Sequence, residues 1–244
     1  MELEKECDPM GQAIWDFAHK GKAGDLIVKS TMFDDDEMSV KNLFRTELEM
    51  PPLERLALDL CQGRVLDVGA GAGCHTLALQ ERGLKVTSID ISRLSTQARQ
   101  LRGALDARCQ DIFDTEWNEQ FDTILLLMNG LGIAGKLSAL TRLLNRCKAL
   151  LREGGQILAD SSDLRYIFED EEGVFYPPEA SNYYGEVDFQ MVYNECKGKP
   201  FDWLYVDFDT LHQTAEKCGL HAEIVREGMH YDYLCRITNS TFRI

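Results

Sequence analysis

The 244-residue sequence contains no long hydrophobic run. Its apolar stretches are short, as in the five residues from Ile124 to Met128, whereas a membrane-spanning helix needs about 20. The segment from Met1 to Glu6 lacks the basic start and apolar middle of a secretory signal peptide. We therefore expect a cytoplasmic protein with no membrane partner.

Positive charge is also scarce, because 26 Lys and Arg stand against 41 Asp and Glu, a net charge of −15 at pH 7. A surface this acidic repels phosphate backbones, so we expect no nucleic-acid partner. None of the eight cysteines forms a Cys-x-x-Cys pair, and the carboxylate run from Asp34 to Glu37 is interpreted as a solvated loop. The sequence predicts no metal site and reduced thiols that mostly fill the core.

Strand-like apolar runs alternate with helix-like segments in the middle of the chain. The continuous run from Ile124 to Leu127 is typical of a strand buried on both faces of a parallel sheet. From Lys136 to Leu151, apolar side chains recur at three- and four-residue steps, which is typical of a helix. This alternation predicts a doubly wound α/β sheet that binds ligands at the carboxyl ends of its strands. The predicted strands are 64–69, 85–90, 107–111, 121–128 and 156–160.

The segments on either side of this core have different patterns. About sixty residues before it have helical character, including a helix from Leu53 to Leu60 that follows two prolines. Residues 161–206 contain an acidic loop and two alternating runs, which predict an inserted antiparallel element. A helix over 208–218 follows, and then come two strands joined by a hairpin turn at Glu227 to His230.

These patterns divide the chain into three parts. We predict an N-terminal helical cap over residues 1–62 and an inserted substrate-side element over 161–206. The α/β core then comprises residues 63–160 and 207–244.

A glycine-rich turn follows the first strand of the core. Gly69, Gly71 and Gly73 occupy alternate positions directly after Val68. Glycine permits a sharp turn and a close approach of the backbone to a ligand, and the start of the following helix favours a carboxylate. A dinucleotide-binding turn needs its third glycine one position later, where this sequence has Cys74.

An acidic residue, Asp67, followed by this GxGxG turn resembles the first motif of the class I S-adenosylmethionine-dependent methyltransferases. Two further aspartates end the next two strands, Asp90 at 21 residues after Gly69 and Asp111 at 21 residues after Asp90. The resemblance covers about residues 35–238 and includes the C-terminal hairpin. It implies a seven-stranded, mostly parallel sheet in which that hairpin adds an antiparallel strand.

The resemblance also implies S-adenosylmethionine as the cofactor, with its methionyl part on the glycine loop. Asp90 would accept hydrogen bonds from the ribose hydroxyls, while Asp111 would bind the adenine amino group and Ile112 would lie against the ring. The implied cofactor-binding residues are Asp67, Gly69, Ala70, Gly71, Gly73, Asp90, Ile91, Asp111, Ile112 and Met128.

No catalytic residue is assigned from the sequence, because methyl transfer depends on positioning and needs a base only when the acceptor arrives protonated. Asn129 either orients an acceptor or forms a turn before Gly130. His75 either touches the cofactor or acts as a base, or it has a structural role. Asp160 and Ser161 either bind an acceptor or cap a turn.

The sequence thus predicts methyl transfer to a small-molecule acceptor. A nicotinamide-dependent oxidoreductase, a non-catalytic S-adenosylmethionine-binding protein and a protein-directed methyltransferase are the alternatives. The segment Leu127 to Gly132 lacks the Pro-Pro-aromatic element of enzymes that methylate the amino groups of bases, which argues against that substrate class.

Overall fold

The computed structural model describes residues 8–176, 178 and 183–240. The helices are α1 (Pro9–Lys20), α2 (Pro52–Leu60), α3 (Cys74–Glu81), α4 (Arg93–Leu101), α5 (Leu137–Leu150) and α6 (Phe208–Lys217). The strands are β1 (Leu26–Lys29), β2 (Asp36–Met38), β3 (Arg64–Val68), β4 (Lys85–Asp90), β5 (Ala107–Cys109), β6 (Phe121–Leu126), β7 (Leu151–Ser162), β8 (Glu186–Tyr193), β9 (Cys196–Lys197), β10 (Phe201–Leu204), β11 (Leu220–Glu227) and β12 (Asp232–Asn239). Short 3-10 segments span Val40–Phe44, Glu47–Glu49, Gly130–Ala134 and Leu164–Phe168.

The larger sheet has seven strands in the order β11-β12-β7-β6-β3-β4-β5. Strands β3 to β7 run parallel, and β12 lies antiparallel to both β7 and β11. The predicted doubly wound fold with a C-terminal antiparallel hairpin is therefore confirmed. The chain passes from β3 outward to β5 and then returns to β6 on the other side of β3. Ligands bind at this switch of direction, beyond the carboxyl ends of the strands.

Apolar side chains on both faces explain why the central strands form a buried sheet. In β6, Phe121 and the run from Thr123 to Leu126 are buried. Helix α5 covers one face with a stripe that includes Leu140, Leu144 and Cys147, all fully buried. Each large apolar side chain buried in this way contributes about 1.5–3 kcal/mol.

A smaller sheet, which the sequence did not predict at the N-terminus, joins the two flanking segments. Its strand order is β10-β8-β1-β2, and β9 pairs with β8. The segment before the core is therefore only partly helical, since residues 26–29 and 36–38 are strands. The reason is tertiary, because the short run Leu26 to Lys29 gains its strand partner from Gln190 to Tyr193, far along the chain.

Three further sequence predictions concern the whole chain. Within the described residues, no group of His, Cys, Asp and Glu has the arrangement of a metal site. No helix in the described ranges is long and apolar enough to cross a membrane. The described cysteines are free thiols, and four of them are buried: Cys74, Cys147, Cys218 and Cys235.

Candidate functional site

The glycine loop after β3 lies at the switch of direction in the larger sheet. Gly69, Gly71 and Gly73 have φ values of +68°, +51° and +86°, which only glycine adopts without strain. The carbonyl of Ile89 accepts hydrogen bonds from Gly69 N–H (3.0 Å) and Ala70 N–H (3.1 Å). The loop is thereby fixed to the carboxyl end of β4.

Helix α3 begins directly after the loop with an open N-terminus. No side chain in the described part of the chain caps this end, and Gly69 is exposed beside it. The first N–H groups of an uncapped helix bind anions well, because they have no partner within the helix. The loop and this helix end therefore fit a ligand carboxylate.

Asp90, at the end of β4, touches the same loop. Its Oδ2 accepts a hydrogen bond from Gly71 N–H (2.9 Å), and its Oδ1 accepts one from Ser92 N–H (2.8 Å). Each carboxylate oxygen has a second lone pair, so the half-buried side chain can still accept hydrogen bonds from a ligand.

Asp67 supports the loop from behind. It is buried, and its Oδ2 accepts a hydrogen bond from the Thr76 hydroxyl (2.5 Å). Burial raises the pKa of this carboxyl, while the nearby His75 and the Thr76 bond act in the opposite direction. Asp67 therefore joins β3 to α3 and does not face the open side of the loop.

Arg99 of α4 is a second support, one that sequence reasoning missed. It is completely buried, and its guanidinium donates hydrogen bonds to the carbonyls of Gly71 (2.9 Å) and Arg108 (3.3 Å). Its stem also explains Gly73, since a Cβ at that position would lie 2.9 Å from Arg99 Cγ. An arginine on a helix ordinarily indicates an exposed face, so no signal in a single sequence identifies this role.

The rim of the cleft combines apolar and polar groups from three strands. Ile91 and Met128 are exposed by 39% and 41%, beyond the ends of β4 and β6. Asp111 follows β5, where its Oδ1 accepts a hydrogen bond from Phe113 N–H (2.9 Å), and Ile112 beside it is buried.

Asn129 connects three elements at the end of β6. Its N–H donates to Asp160 Oδ1 (2.8 Å), and its side-chain amide donates to the Leu204 carbonyl (3.1 Å). Its Oδ1 accepts a hydrogen bond from the Ser161 hydroxyl (2.9 Å). Met128 and Asn129 both have left-handed backbones, with φ of +60° and +56°. Consecutive non-glycine residues in this conformation indicate strain that the surrounding bonds maintain.

Asp160 lies at the same edge, near the end of β7. Burial raises its pKa to about 7, and the Glu54 carboxylate adds to the rise, while the Asn129 hydrogen bond opposes it. Ser161, the next residue, also accepts a hydrogen bond from Val206 N–H (2.9 Å), which fixes the inserted element against β7.

His75 is held inside the protein by Glu54. Its Nε2 lies 2.7 Å from Glu54 Oε2, and Arg45 Nε donates to the same oxygen (3.2 Å). Burial lowers the pKa of His75, but hydrogen bonds with Cys74 and Glu54 outweigh that effect and raise it to about 10. The imidazole is therefore a charged, paired group, and Glu54 is a partner that sequence reasoning did not select.

Comparisons with known proteins match this arrangement. Residues 65–155 match the family described as "Methyltransferase domain". A SAM-dependent methyltransferase from Bacteroides fragilis, solved in complex with S-adenosyl-L-homocysteine, is 53% identical, with 98% of each chain covered and a TM-score of 0.93. The chain belongs to the S-adenosylmethionine-dependent methyltransferases.

More distant relatives share parts of this methyltransferase. The ubiquinone biosynthesis O-methyltransferase of Nitrobacter winogradskyi is 29% identical over 103 residues, which are 40% of this chain and 38% of that enzyme. The chain thus spans less than half the length of this curated relative. The sugar N-methyltransferase KedS8 of Streptoalloteichus sp. shares the fold, with a TM-score of 0.56, 16% identity, and coverage of 86% of this chain and 97% of that one.

The methyltransferase interpretation and S-adenosylmethionine as the cofactor are therefore confirmed, and the nicotinamide-dependent alternative is wrong. The open glycine loop and the uncapped helix beyond it fit this cofactor's methionyl carboxylate. The methyltransferase fold brings most of the selected residues to one sheet edge. Those beside the loop and the rim are Asp67, Gly69, Ala70, Gly71, Gly73, Asp90, Ile91, Asp111, Ile112 and Met128, and those beyond β6 and β7 are Asn129, Asp160 and Ser161.

Proposed function

We propose that this methyltransferase acts on a small molecule, which binds beyond the carboxyl ends of β6 and β7. The supporting observation is that the chain's own elements pack against the segments that follow these two strands. Trp203 of β10 packs so closely on the segment after β6 that a Cβ at Gly132 would lie 2.1 Å from its indole nitrogen. The loop before β12 meets the segment after β7, where Asp163 N–H donates to the Tyr231 carbonyl (2.9 Å). An edge covered in this way can admit a small acceptor. It favours such an acceptor over a folded protein or a nucleic-acid duplex.

The proposal assigns the cofactor to the glycine loop and the neighbouring strand ends. The first turn of α3 binds the methionyl carboxylate, and Asp90 accepts hydrogen bonds from the ribose through its second lone pairs. Asp111 faces the adenine amino group, and Asp67 positions the loop. The apolar contacts come from Ile91, Ile112 and Met128.

When bound, the cofactor supplies a methyl group that its sulfonium activates. The protein's task is to hold the acceptor in line with that methyl group and to exclude water from it. The N-terminal cap (1–62) and the inserted element (161–206) perform the second task in this proposal, because their strands form the smaller sheet together. Asn129 has the structural role of joining β6, β7 and the inserted element, since its amide groups are already bonded.

The test follows an isotope-labelled methyl group into a cell extract. Labelled S-adenosylmethionine is incubated with the protein and the extract, and small molecules are then separated from macromolecules. We expect label to accumulate among the small molecules and excess S-adenosylhomocysteine to suppress it. Accumulation of label in protein or nucleic acid would contradict the proposal.

A further inference from the structure

Asp160 is a carboxylate at the proposed acceptor edge that lacks a cationic partner. It sits near the end of β7, and its Oδ1 accepts one hydrogen bond, from Asn129 N–H (2.8 Å). In the part of the chain that the structure describes, no Lys or Arg forms an ion pair with it. The charge of His75 also acts on Asp160, but that imidazole is already paired with Glu54. A partly buried carboxylate without a counter-charge costs stability, and such groups are concentrated at functional sites.

Two tyrosines are stacked next to the end of β7. The rings of Tyr166 and Tyr231 lie 4.5 Å apart between centroids with an interplanar angle of 10°, and both are exposed, by 44% and 63%. Tyr231 has a φ of +59°, a conformation that a bulky residue adopts only under constraint. The hydrogen bond from Asp163 N–H to its carbonyl supplies that constraint. Strain of this kind at the edge of a site supports a functional role for the ring's position.

A third tyrosine, Tyr205, directly follows β10 and precedes Val206, which is bonded to Ser161 near the end of β7. Burial, followed by the proximity of Tyr166 and Asp160, raises the pKa of Tyr205. Its backbone position is fixed on both sides, since Tyr205 N–H donates to the Gly185 carbonyl (2.8 Å) and Val206 N–H to the Ser161 hydroxyl (2.9 Å). The bonds from Asp163 N–H to Tyr231 and from Val206 N–H to Ser161 thus place the three tyrosines and Asp160 in segments that meet at the end of β7.

We propose that Asp160, Tyr166, Tyr205 and Tyr231 form an acceptor subsite for an organic ammonium ion, the protonated form of a primary or secondary amine. This inference rests on the proposed function. The aromatic faces attract a cation through the ring quadrupole, and the carboxylate supplies the missing counter-charge. A carboxylate acceptor would be repelled, and a neutral alcohol would leave Asp160 without a cation.

Asp160 then has a chemical task as well. An ammonium ion has no lone pair, so it first transfers one proton to the Asp160 carboxylate and becomes a neutral amine. Its nitrogen lone pair forms the new N–C bond to the methyl group, while the S–C bond breaks and leaves its electron pair on sulfur. The product is a methylated ammonium ion together with S-adenosylhomocysteine, and Asp160 passes its proton to water.

The test compares probes that differ only in their head group. Phenethylamine, 2-phenylethanol and phenylacetate form one set, and hexylamine, hexanol and hexanoate form another. Binding of each to the protein saturated with S-adenosylhomocysteine is measured by calorimetry. We expect each amine to bind at least about 10-fold more tightly than its alcohol, because its contact with a carboxylate is charge-assisted. Amines that bind no better than the alcohols, including no binding of either, would overturn the inference.

Variants separate recognition from structure. Asp160→Asn should remove the preference for amines, and the exposed Tyr231→Leu should weaken amine binding about 3-fold or more. Glu171→Gln removes an exposed carboxylate and serves as the control with unchanged preference. If Asp160→Asn does not fold, amine binding by Tyr231→Leu alone tests the subsite. A preference that survives in Asp160→Asn or Tyr231→Leu counts against the subsite. The isotope experiment tests the proposed function separately, because label can accumulate among small molecules whether or not the protein prefers amines.

The pH profile tests the proton transfer. Four titratable groups face Asp160, namely Glu54 from α2, His75 from α3, Cys235 from β12 and Tyr205 after β10. With an amine that is turned over, kcat/KM should rise with pH through the region near 7, where Asp160 becomes ionised in the free protein. Asp160→Asn should lose this rise. An identical profile in the variant would show that Asp160 does not accept the proton.

Discussion

At the residue scale, Asp90 shows how one carboxylate can fix the geometry of a loop. Its two oxygens accept hydrogen bonds from Gly71 N–H and Ser92 N–H, so it fixes the geometry of the glycine loop, and we propose that its second lone pairs bind the ribose. The sequence predicted its position from the spacing after the glycine loop. The two backbone bonds were beyond prediction, because they depend on how the loop folds over the end of β4.

Asp90→Ala should lower the affinity for S-adenosylhomocysteine about 10- to 150-fold, since charge-assisted hydrogen bonds contribute about 1.5–3 kcal/mol. Calorimetry measures the affinity, and circular dichroism checks that the variant is folded. A variant that binds as tightly as the wild type would remove Asp90 from the cofactor site.

Arg99→Leu should destabilise the protein by about 1–3 kcal/mol. The Arg99 guanidinium donates a hydrogen bond to the Gly71 carbonyl, and the substitution leaves that carbonyl without its buried donor. Urea denaturation measures the loss, and the exposed Gln97→Ala on the same helix is the matched control. If the two variants are equally stable, Arg99 does not support the loop.

Asp160→Asn should make the protein more stable at pH 8. Burial raises the pKa of Asp160 from an ordinary 3.8 to about 7, so its ionisation opposes folding. The folded state binds this proton more tightly than the unfolded state does. The stability that proton binding adds is fully present below about pH 4 and is lost as the pH rises to about 7. We expect a gain of about 1–3 kcal/mol at pH 8 and little difference at pH 4. Urea denaturation at both values measures it, and a variant less stable than the wild type at pH 8 contradicts it.

At the scale of elements, helix α1 packs beside the glycine loop and leads into the smaller sheet. Asp8 at the start of α1 accepts a hydrogen bond from the Ser92 hydroxyl (2.5 Å), next to Asp90. Ile14 of the same helix lies 4.0 Å from the place of a Cβ on Gly71. A ligand on the loop therefore meets α1, and strand β1 continues from α1 into the smaller sheet.

S-adenosylhomocysteine should slow hydrogen exchange in α1, β1 and β8 together, because β1 and β8 share backbone hydrogen bonds. Strand β11, at the far edge of the larger sheet, is the internal control. Slower exchange in α1 with no change in β8 would show that the inserted element is independent of the cofactor.

Local patterns explain which elements the sequence revealed. The strands β3, β4 and β6 are short strand-like runs next to turn signals, and their predicted positions agree with the structure to within two residues. Strand β7 begins five residues earlier than predicted, at Leu151, because Phe121 pairs with that residue across an irregular register. The pairing of β1 with β8 carries no local signal at all, since each strand depends on the other for its partner.

At the scale of the whole molecule, the excess of carboxylates affects stability. With a net charge of −15, repulsion between surface charges opposes the compact state. Raising the salt concentration screens this repulsion. Salt also weakens the exposed ion pairs, but these contribute little to the stability of the folded state. Higher salt should therefore raise the midpoint of thermal unfolding, by about 2–4 °C for each kcal/mol gained in the free energy of unfolding. Calorimetry in low and high sodium chloride measures it, and an unchanged or lower midpoint contradicts the expectation.

The pairing of Leu26 with Tyr193 also determines when the smaller sheet can form during synthesis. The strands β1 and β2 leave the ribosome before β8, so one edge of β1 stays unpaired until the chain has grown 167 residues beyond Leu26. All five parallel strands of the larger sheet have been made by then, so they can pair while β1 still lacks its partner β8. A chaperone that binds exposed strand edges would find its target on this nascent chain at residues 26–29.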